Sequence, residues 1–316
     1  MSSTTDTNTS PKEEIGKKIW TTLITNTTYL PGLLTLAYSL RRVKSAYPLL
    51  ILYTDSFPLE GHLALDVCGI PKKRVPYLLP SLPKDFVNDA RFYDCWSKLT
   101  PFSMTEFERV VQLDCDMLVL KNMDELMDLE LDGVEMEGEG KRVFGAGHAC
   151  VCNPLAKIHY PKDWIPANCA YTTQHTHPST AQITGAPSST GLSIPNGGLL
   201  VINPSQAIYN KILAQLASSA TATYDFADQS LLGDLFRDRW VALPYIYNAL
   251  KTMRWEGVHD AIWRDEDVKN VHFILSPKPW EEVGGQEGRD KTHGWWWEVN
   301  EERKKEQKKR WIDDGL

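Results

Sequence analysis

Residues 109–120 read RVVQLDCDMLVL, and this stretch decides the fold. Arg109–Leu113 is a short run with adjacent valines, the make-up of a buried strand. It ends in Asp114-Cys115-Asp116, after which Met117–Leu120 is apolar again. Alternate side chains of an extended chain share a face, so Asp114 and Asp116 point to one side and Cys115 to the other. Two carboxylates set between buried runs are costly without a purpose. Hard oxygen donors at a strand end suit Mg²⁺ or Mn²⁺ better than zinc. Taken alone, an Asp-x-Asp triplet also reads as two solvated loop acids.

Upstream, strand and helix patterns alternate. Residues 19–25 (IWTTLIT) suit a strand, and Leu33–Lys44 carries Leu33, Leu36, Ala37 and Leu40 on one helical face. Leu49–Thr54 reads as a second strand, Pro58–Cys68 as a helix and Arg74–Leu79 as a third strand. This βαβ rhythm predicts a parallel sheet covered by helices. No Gly-x-Gly-x-x-Gly follows the first strand, so a dinucleotide fingerprint is absent. The same lack of a Gly-rich basic loop argues against a nucleotidyltransferase.

Downstream, residues 95–107 predict a helix interrupted near Pro101, and residues 121–129 another. Residues 132–195 are rich in Gly, Pro, Ser, Thr and His and read as an elaborated loop or lid. Asn196-Gly197-Gly198 reads as a turn into strand 199–203, followed by a helix over 204–218. Asp228 reads as the N-cap of a helix to Leu235, and Val271–Leu275 as a last strand. Residues 301–310 (EERKKEQKKR) read as a solvated surface helix with i,i+4 charge pairs.

Composition bounds the partners. The 316 residues hold 34 Lys+Arg against 41 Asp+Glu, a formal charge of −7. A mildly acidic body argues against nucleic acid as partner, and an anionic substrate would need a local cation. The first 18 residues lack the apolar core of a secretory signal and are expected to be disordered. No run is long enough to span a membrane, so the expectation is a cytoplasmic protein with no membrane partner. The six cysteines are expected to be reduced.

His272 and Lys278, in VHFILSPKPW, complete a chemical logic with the acid pair. Singly they read as a packed histidine and a surface lysine. Together, two carboxylates and an imidazole suit a divalent ion, and ion and lysine neutralise a diphosphate that then leaves.

Six blocks bring these residues into one pattern: TTLITNTTYLPGLLTLAYSL, SKLTPFSMTEFERVVQLDCDMLVLKNMDEL, NGGLLVINPS, DQSLL, LPYIYN and VHFILSPKPW. In order and spacing the chain resembles glycosyltransferase family 8, which includes glycogenin and galactinol synthase. The resemblance implies an α/β GT-A fold, Rossmann-like, with a mixed, mainly parallel central sheet flanked by helices. It places one such domain over 19–300, with an insertion near 135–192 and a charged helix or tail over 301–316. It implies a retaining hexosyltransferase using a UDP-sugar and Mn²⁺ (or Mg²⁺), with a carbohydrate, polyol or other hydroxyl compound as acceptor. Asp114, Asp116 and His272 match the metal ligands. Leu23, Thr25, Asn26 and Tyr29 match the block that cradles uridine, Tyr29 being placed to stack on uracil. Lys98 matches the lysine that contacts the nucleotide-sugar, and Lys278 the one that contacts the diphosphate. Asn196, Asp225, Asp228 and Gln229 match polar positions around donor sugar and acceptor. Asp228 is the candidate nucleophile, and Gln229 a candidate holder of sugar hydroxyls. The plain readings are a turn at Asn196-Gly197, a helix cap at Asp228 and a core residue at Tyr29.

Two departures separate this chain from the named members. Trp255 stands where glycogenin carries its self-glycosylated tyrosine, which argues against self-priming by that route. The segment between His272 and Lys278 is shorter than in galactinol synthases, which leaves galactosyl transfer to myo-inositol as an alternative. A non-catalytic UDP-sugar-binding scaffold is the other alternative, and intact Asp114, Asp116, His272 and Lys278 argue against it. The segment 135–192 also holds His148, Cys150, Cys152, His159, Cys169, His175 and His177. Their spacing is not a standard zinc finger. They read as buried thiols and solvent-facing histidines, with a structural zinc as the other reading.

Overall fold

A computed structural model describes residues 17–82, 85–86, 90, 92–282 and 290–316. The tail expected to be disordered lies outside the described residues, apart from Lys17 and Lys18. In chain order the elements are β1 (Lys18–Ile24), α1 (Leu30–Arg42), β2 (Leu49–Tyr53), α2 (Leu59–Val67), β3 (Lys72–Arg74), α3 (Phe92–Cys95), β4 (Arg109–Leu113), β5 (Met117–Val119) and β6 (Phe144–His148). There follow α4 (Ala170–Thr173), β7 (Pro195–Ile202), α5 (Gln206–Leu216), α6 (Ala227–Leu235), β8 (Val241–Ala242), β9 (Ala249–Leu250), β10 (Asn270–His272) and α7 (Lys291–Lys309).

The main sheet has seven strands in the order β3-β2-β1-β4-β7-β6-β8. Strands β3, β2, β1 and β4 are parallel, as the alternating pattern predicts. Strand β7 runs antiparallel to both β4 and β6, and β8 is parallel to β6. A small sheet, β5-β10-β9, pairs Met117 with His272 across antiparallel strands.

Alternation along the strands builds the layers. On β7, Leu199 and Val201 pack with Leu36 and Leu40 of α1. Leu200 and Ile202 pack with α5, α6 and residues 96–103 on the other face. Buried Leu, Val, Ile and Phe side chains on both faces explain why these strands lack polar alternation.

Several local expectations change. Strand β6 lies inside the segment read as irregular. Its sequence, FGAGH, has no β-branched residue, yet all five residues are buried. Gly145 permits this, because a Cβ there would stand 2.5 Å from Leu129 Cδ2. Residues 96–103 form a 3₁₀ helix rather than an α-helix, with Pro101 inside it, and residues 124–128 do the same. Strand β3 ends at Arg74, so residues 75–79 are not strand. Asn196-Gly197-Gly198 belongs to β7 and is not a turn. Helix α7 begins ten residues before Glu301 and is not simply solvated. Arg303 is buried against Asp314, and Asn300 Oδ1 accepts from Thr35 Oγ1 of α1 at 3.0 Å. Among the described residues no helix is long and apolar enough to cross a membrane.

Candidate active site

The cleft opens where β1 and β4 end and β7 begins. Asp114 follows β4 and Asp116 precedes β5, so the bend between two buried strands carries both acids. The Asp114 N–H donates to Gly198 O of β7 at 2.8 Å, and the Phe273 N–H to Asp116 O at 2.8 Å. Those bonds lock the bend to a strand on each side. The Cys115 thiol turns the other way, 3.0 Å from Leu23 O and 3.2 Å from Thr22 Oγ1, as alternation requires. Burial pushes that thiol up to about 12, so it stays neutral.

His272, on β10, brings Nε2 to 3.3 Å from Asp116 Oδ1 and 3.7 Å from Asp114 Oδ2. Its Nδ1 lies 2.9 Å from Asn248 Oδ1, whose amide group in turn donates to Asn196 Oδ1 at 2.9 Å. An amide oxygen only accepts, so Nδ1 carries the proton. Nε2 then faces the two carboxylates. Two carboxylate oxygens and one imidazole nitrogen converging on one point form a donor set that fits a hard divalent ion. The ligand atoms of Asp114, Asp116 and His272 all lie within 4.8 Å of one another.

Two lysines flank the acids. Lys278 is 1% exposed, and its ammonium donates to Asp116 Oδ2 at 2.5 Å and Phe273 O at 2.6 Å. Burial alone would raise Asp116, but the Lys278 ammonium beside it holds it well below the ordinary carboxylate range. Lys98, from the 3₁₀ helix 96–103, sits 2.7 Å from Asp114 Oδ1. Burial works against its charge, yet Asp114 and Asp228 keep it well above the usual lysine value.

Asp228 lies in the first turn of α6 and does not cap it; Phe226 holds the cap position. Its carboxylate is 3% exposed, and Oδ2 has no hydrogen-bond partner. Burial pushes it up to about 6, with Lys98 pulling the other way. Gln229 Oε1 accepts weakly from Asn196 Nδ2 and from the Gly197 N–H, both at 3.4 Å.

Paired glycines on β7 allow these side chains to close in. A Cβ on Gly198 would stand 2.4 Å from His272 Cε1, and one on Gly197 would stand 2.4 Å from Asp228 Oδ2.

Leu23, Thr25, Asn26 and Tyr29 line the same cleft at the end of β1. Thr25 Oγ1 donates to Asp94 Oδ2 at 2.6 Å, and Asn26 caps the turn by accepting from the Thr28 N–H. The Tyr29 ring stands edge-on to Trp280 at 5.9 Å, with the Lys278 ammonium 5.6 Å from its centroid. Asp225 does not join the others: it is exposed and stands outside the cleft lining. Asp94 and Asn248 were missed by sequence reasoning. Asp94 stands four residues before Lys98, the spacing of one helical face, which is the signal that could have found it. Asn248 lies in LPYIYN, one of the six blocks that carry the resemblance, in which no site residue was singled out. Cys150, Asn153, Tyr160, Trp164 and Phe226 also line the cleft.

Comparisons with known proteins bear on the fold and the family. The galactosyltransferase LgtC, solved in complex with donor and acceptor sugar analogs, superposes with a TM-score of 0.58 at 15% identity, over 90% of this chain and 96% of its own. The glycosyltransferase GlyE of Streptococcus pneumoniae TIGR4 gives 0.56 at 17% identity, over 94% of this chain; the chain spans 65% of GlyE. These likenesses establish the GT-A fold. Galactinol synthase 1 of Solanum lycopersicum is 28% identical over 312 residues, covering 90% of this chain and 86% of its own. Galactinol synthase 4 of Arabidopsis thaliana is 27% identical over 288 residues, covering 87% and 79%. The family model described as glycosyl transferase family 8 matches residues 21–284, and this chain belongs to that family.

Proposed function

We propose that the protein moves a hexose from a UDP-sugar to a hydroxyl acceptor, with retention at the anomeric carbon. The convergence of Asp114, Asp116 and His272 beneath Lys278 carries this reading. Galactose passed from UDP-galactose to a polyol such as myo-inositol is the first specific pair to test, supported by the names of the relatives.

In this reading Leu23, Thr25, Asn26 and Tyr29 hold the uridine, Tyr29 by stacking on the base. Asp114, Asp116 and His272 would hold Mn²⁺ or Mg²⁺, which supplies charge neutralisation for the diphosphate. As the anomeric C–O bond breaks, its electron pair passes to the β-phosphate oxygen. Lys278 meets the charge that develops there, and its burial makes that interaction strong. Lys98 orients the donor and keeps Asp228 partly ionised. Asp228, with Oδ2 unpartnered, answers the positive charge growing at the anomeric carbon. Asn196 and Gln229 hold sugar hydroxyls. The acceptor hydroxyl attacks from the face that UDP leaves, and its proton passes to the departing β-phosphate oxygen.

The experiment is UDP release from a panel of UDP-sugars, with and without Mn²⁺ and myo-inositol, on the parent and on Asp116→Ala. Metal-dependent release that is selective for one sugar, increased by an acceptor and lost in Asp116→Ala is expected. The anomeric configuration of the product, read by NMR, checks retention. UDP binding without turnover on any acceptor would favour a binding scaffold and sink the transferase reading.

A further inference from the structure

A second cluster of potential ligands stands beyond the cleft wall, made of sulfur where the first is made of oxygen. Cys150 and Cys152 follow β6, Cys169 immediately precedes α4, and His259 lies in the loop between β9 and β10. Their sulfurs surround His259 Nε2 at 3.4, 3.3 and 3.4 Å respectively. All four ligand atoms lie within 4.8 Å of one another. Cys152, Cys169 and His259 are buried, Cys150 is half-buried, and none of these cysteines is in a disulfide.

The histidine is oriented for the purpose. His259 Nδ1 is 3.0 Å from His175 Nε2, and the Tyr171 ring stands edge-on to His259 at 5.5 Å. With the Nδ1 proton shared with His175, the Nε2 lone pair points into the three sulfurs. One imidazole nitrogen cannot accept three thiol protons, so without an ion the buried thiols are left mainly to weak S–H contacts with one another. For zinc–sulfur bonds of about 2.3 Å and zinc–nitrogen bonds of about 2.0 Å, the tetrahedral S···N edge is about 3.5 Å. The three observed separations match that edge. The remaining histidines of this region are occupied elsewhere or exposed: His148 Nε2 lies 2.9 Å from Ala186 O, and His159 and His177 face solvent.

We infer that Cys150, Cys152, Cys169 and His259 form a closed, tetrahedral zinc site, with His175 orienting the histidine ligand. Binding converts the three thiols to thiolates and releases their protons. Four protein ligands leave no open position, so the role is structural. The ion ties the end of β6, the approach to α4 and the 255–263 loop to one point. Cys150 also lines the cleft, beside Asn153, Tyr160 and Trp164. Trp164 stacks on Phe226 at 4.2 Å and 12°. The zinc therefore fixes the part of the cleft lining that Cys150, Tyr160 and Trp164 form.

The test uses the full chain, purified under reducing conditions with a tag free of histidine. Elemental analysis is expected to find about one zinc per chain after dialysis, unchanged in Asp116→Ala and in Cys68→Ser. Replacement by Co²⁺ should give a thiolate-to-metal charge-transfer band and the intense ligand-field bands of a tetrahedral ion. His175→Phe should weaken zinc binding by ~10–100-fold while keeping the cobalt spectrum. Cys152→Ser should lose the metal. Because the cobalt spectrum is read on the unaltered chain, a variant that fails to fold does not blunt the test. Absence of zinc together with no charge-transfer band overturns the site. So does a disulfide among these cysteines in the freshly purified protein, or zinc that persists in Cys152→Ser.

Discussion

The Lys98 ammonium stands 2.7 Å from Asp114 Oδ1 and 3.9 Å from Asp228 Oδ2, so one cation faces both carboxylates. A chain that sets a half-buried and a buried acid within reach of one lysine leaves the buried one only partly compensated. That buried acid is Asp228, pushed up to about 6 by burial.

This relationship makes Asp228 a pH-dependent liability. A carboxyl whose folded value is raised stabilises the fold fully below its unfolded value near 3.8, and that contribution is lost as pH rises through about 6. At pH 7.5, Asp228→Asn should therefore raise stability by up to about 3 kcal/mol, read as a higher Tm, while UDP release falls by ~100-fold. In the parent, kcat should climb with pH through about 6. Lys98→Met should move that limb to higher pH, since the group that lowers the Asp228 value is gone. A pH–rate profile of both proteins decides it; coincident limbs would remove Asp228 from the chemistry.

The neighbouring glycines distinguish the proposed metal site from the proposed sugar site. Gly198→Ala drives a methyl toward the His272 ring and Gly197→Ala drives one toward Asp228. We expect Gly198→Ala to raise the Mn²⁺ concentration for half-maximal activity by ~10-fold or more. Gly197→Ala should lower kcat with that concentration unchanged. Metal titrations of the two variants check the split, and identical responses would count against it.

Arg303 is 2% exposed and is paired with the buried Asp314, whereas Lys304 beside it faces solvent. Arg303→Ala leaves Asp314 buried without its cation and should cost ~3–5 kcal/mol in chemical denaturation. Lys304→Ala should stay within about 0.5 kcal/mol of the parent. Equal effects would return this helix to the solvated reading.

What was legible in the sequence follows from how local the signal was. The β4–β5 bend announced itself because valines and leucines surround two aspartates, and α1 because Pro31 opens an apolar face. Cys115 was correctly turned away by alternation alone. β6 was hidden because Gly145 answers a close approach to Leu129, not strand propensity. Asp228 was read as a cap because an aspartate before an apolar run usually is one; burial by Gly197 and Lys98, distant in sequence, set its state. His259 stands 90 residues from Cys169 in EGVHDAIW, a segment with no ligand spacing, so only the folded chain unites them.

Strand β6 pairs with both β7 and β8 in the main sheet. A graft aimed at changing acceptor choice must therefore begin after His148, not at residue 135. Exchanging 135–192 as a cassette would pull a rung from the sheet and break the pairing of Val201 and Val241 with Gly145. A recombination that respects the architecture would take 149–194 together with 255–263 from one parent, so that both halves of the Cys/His cluster arrive already matched.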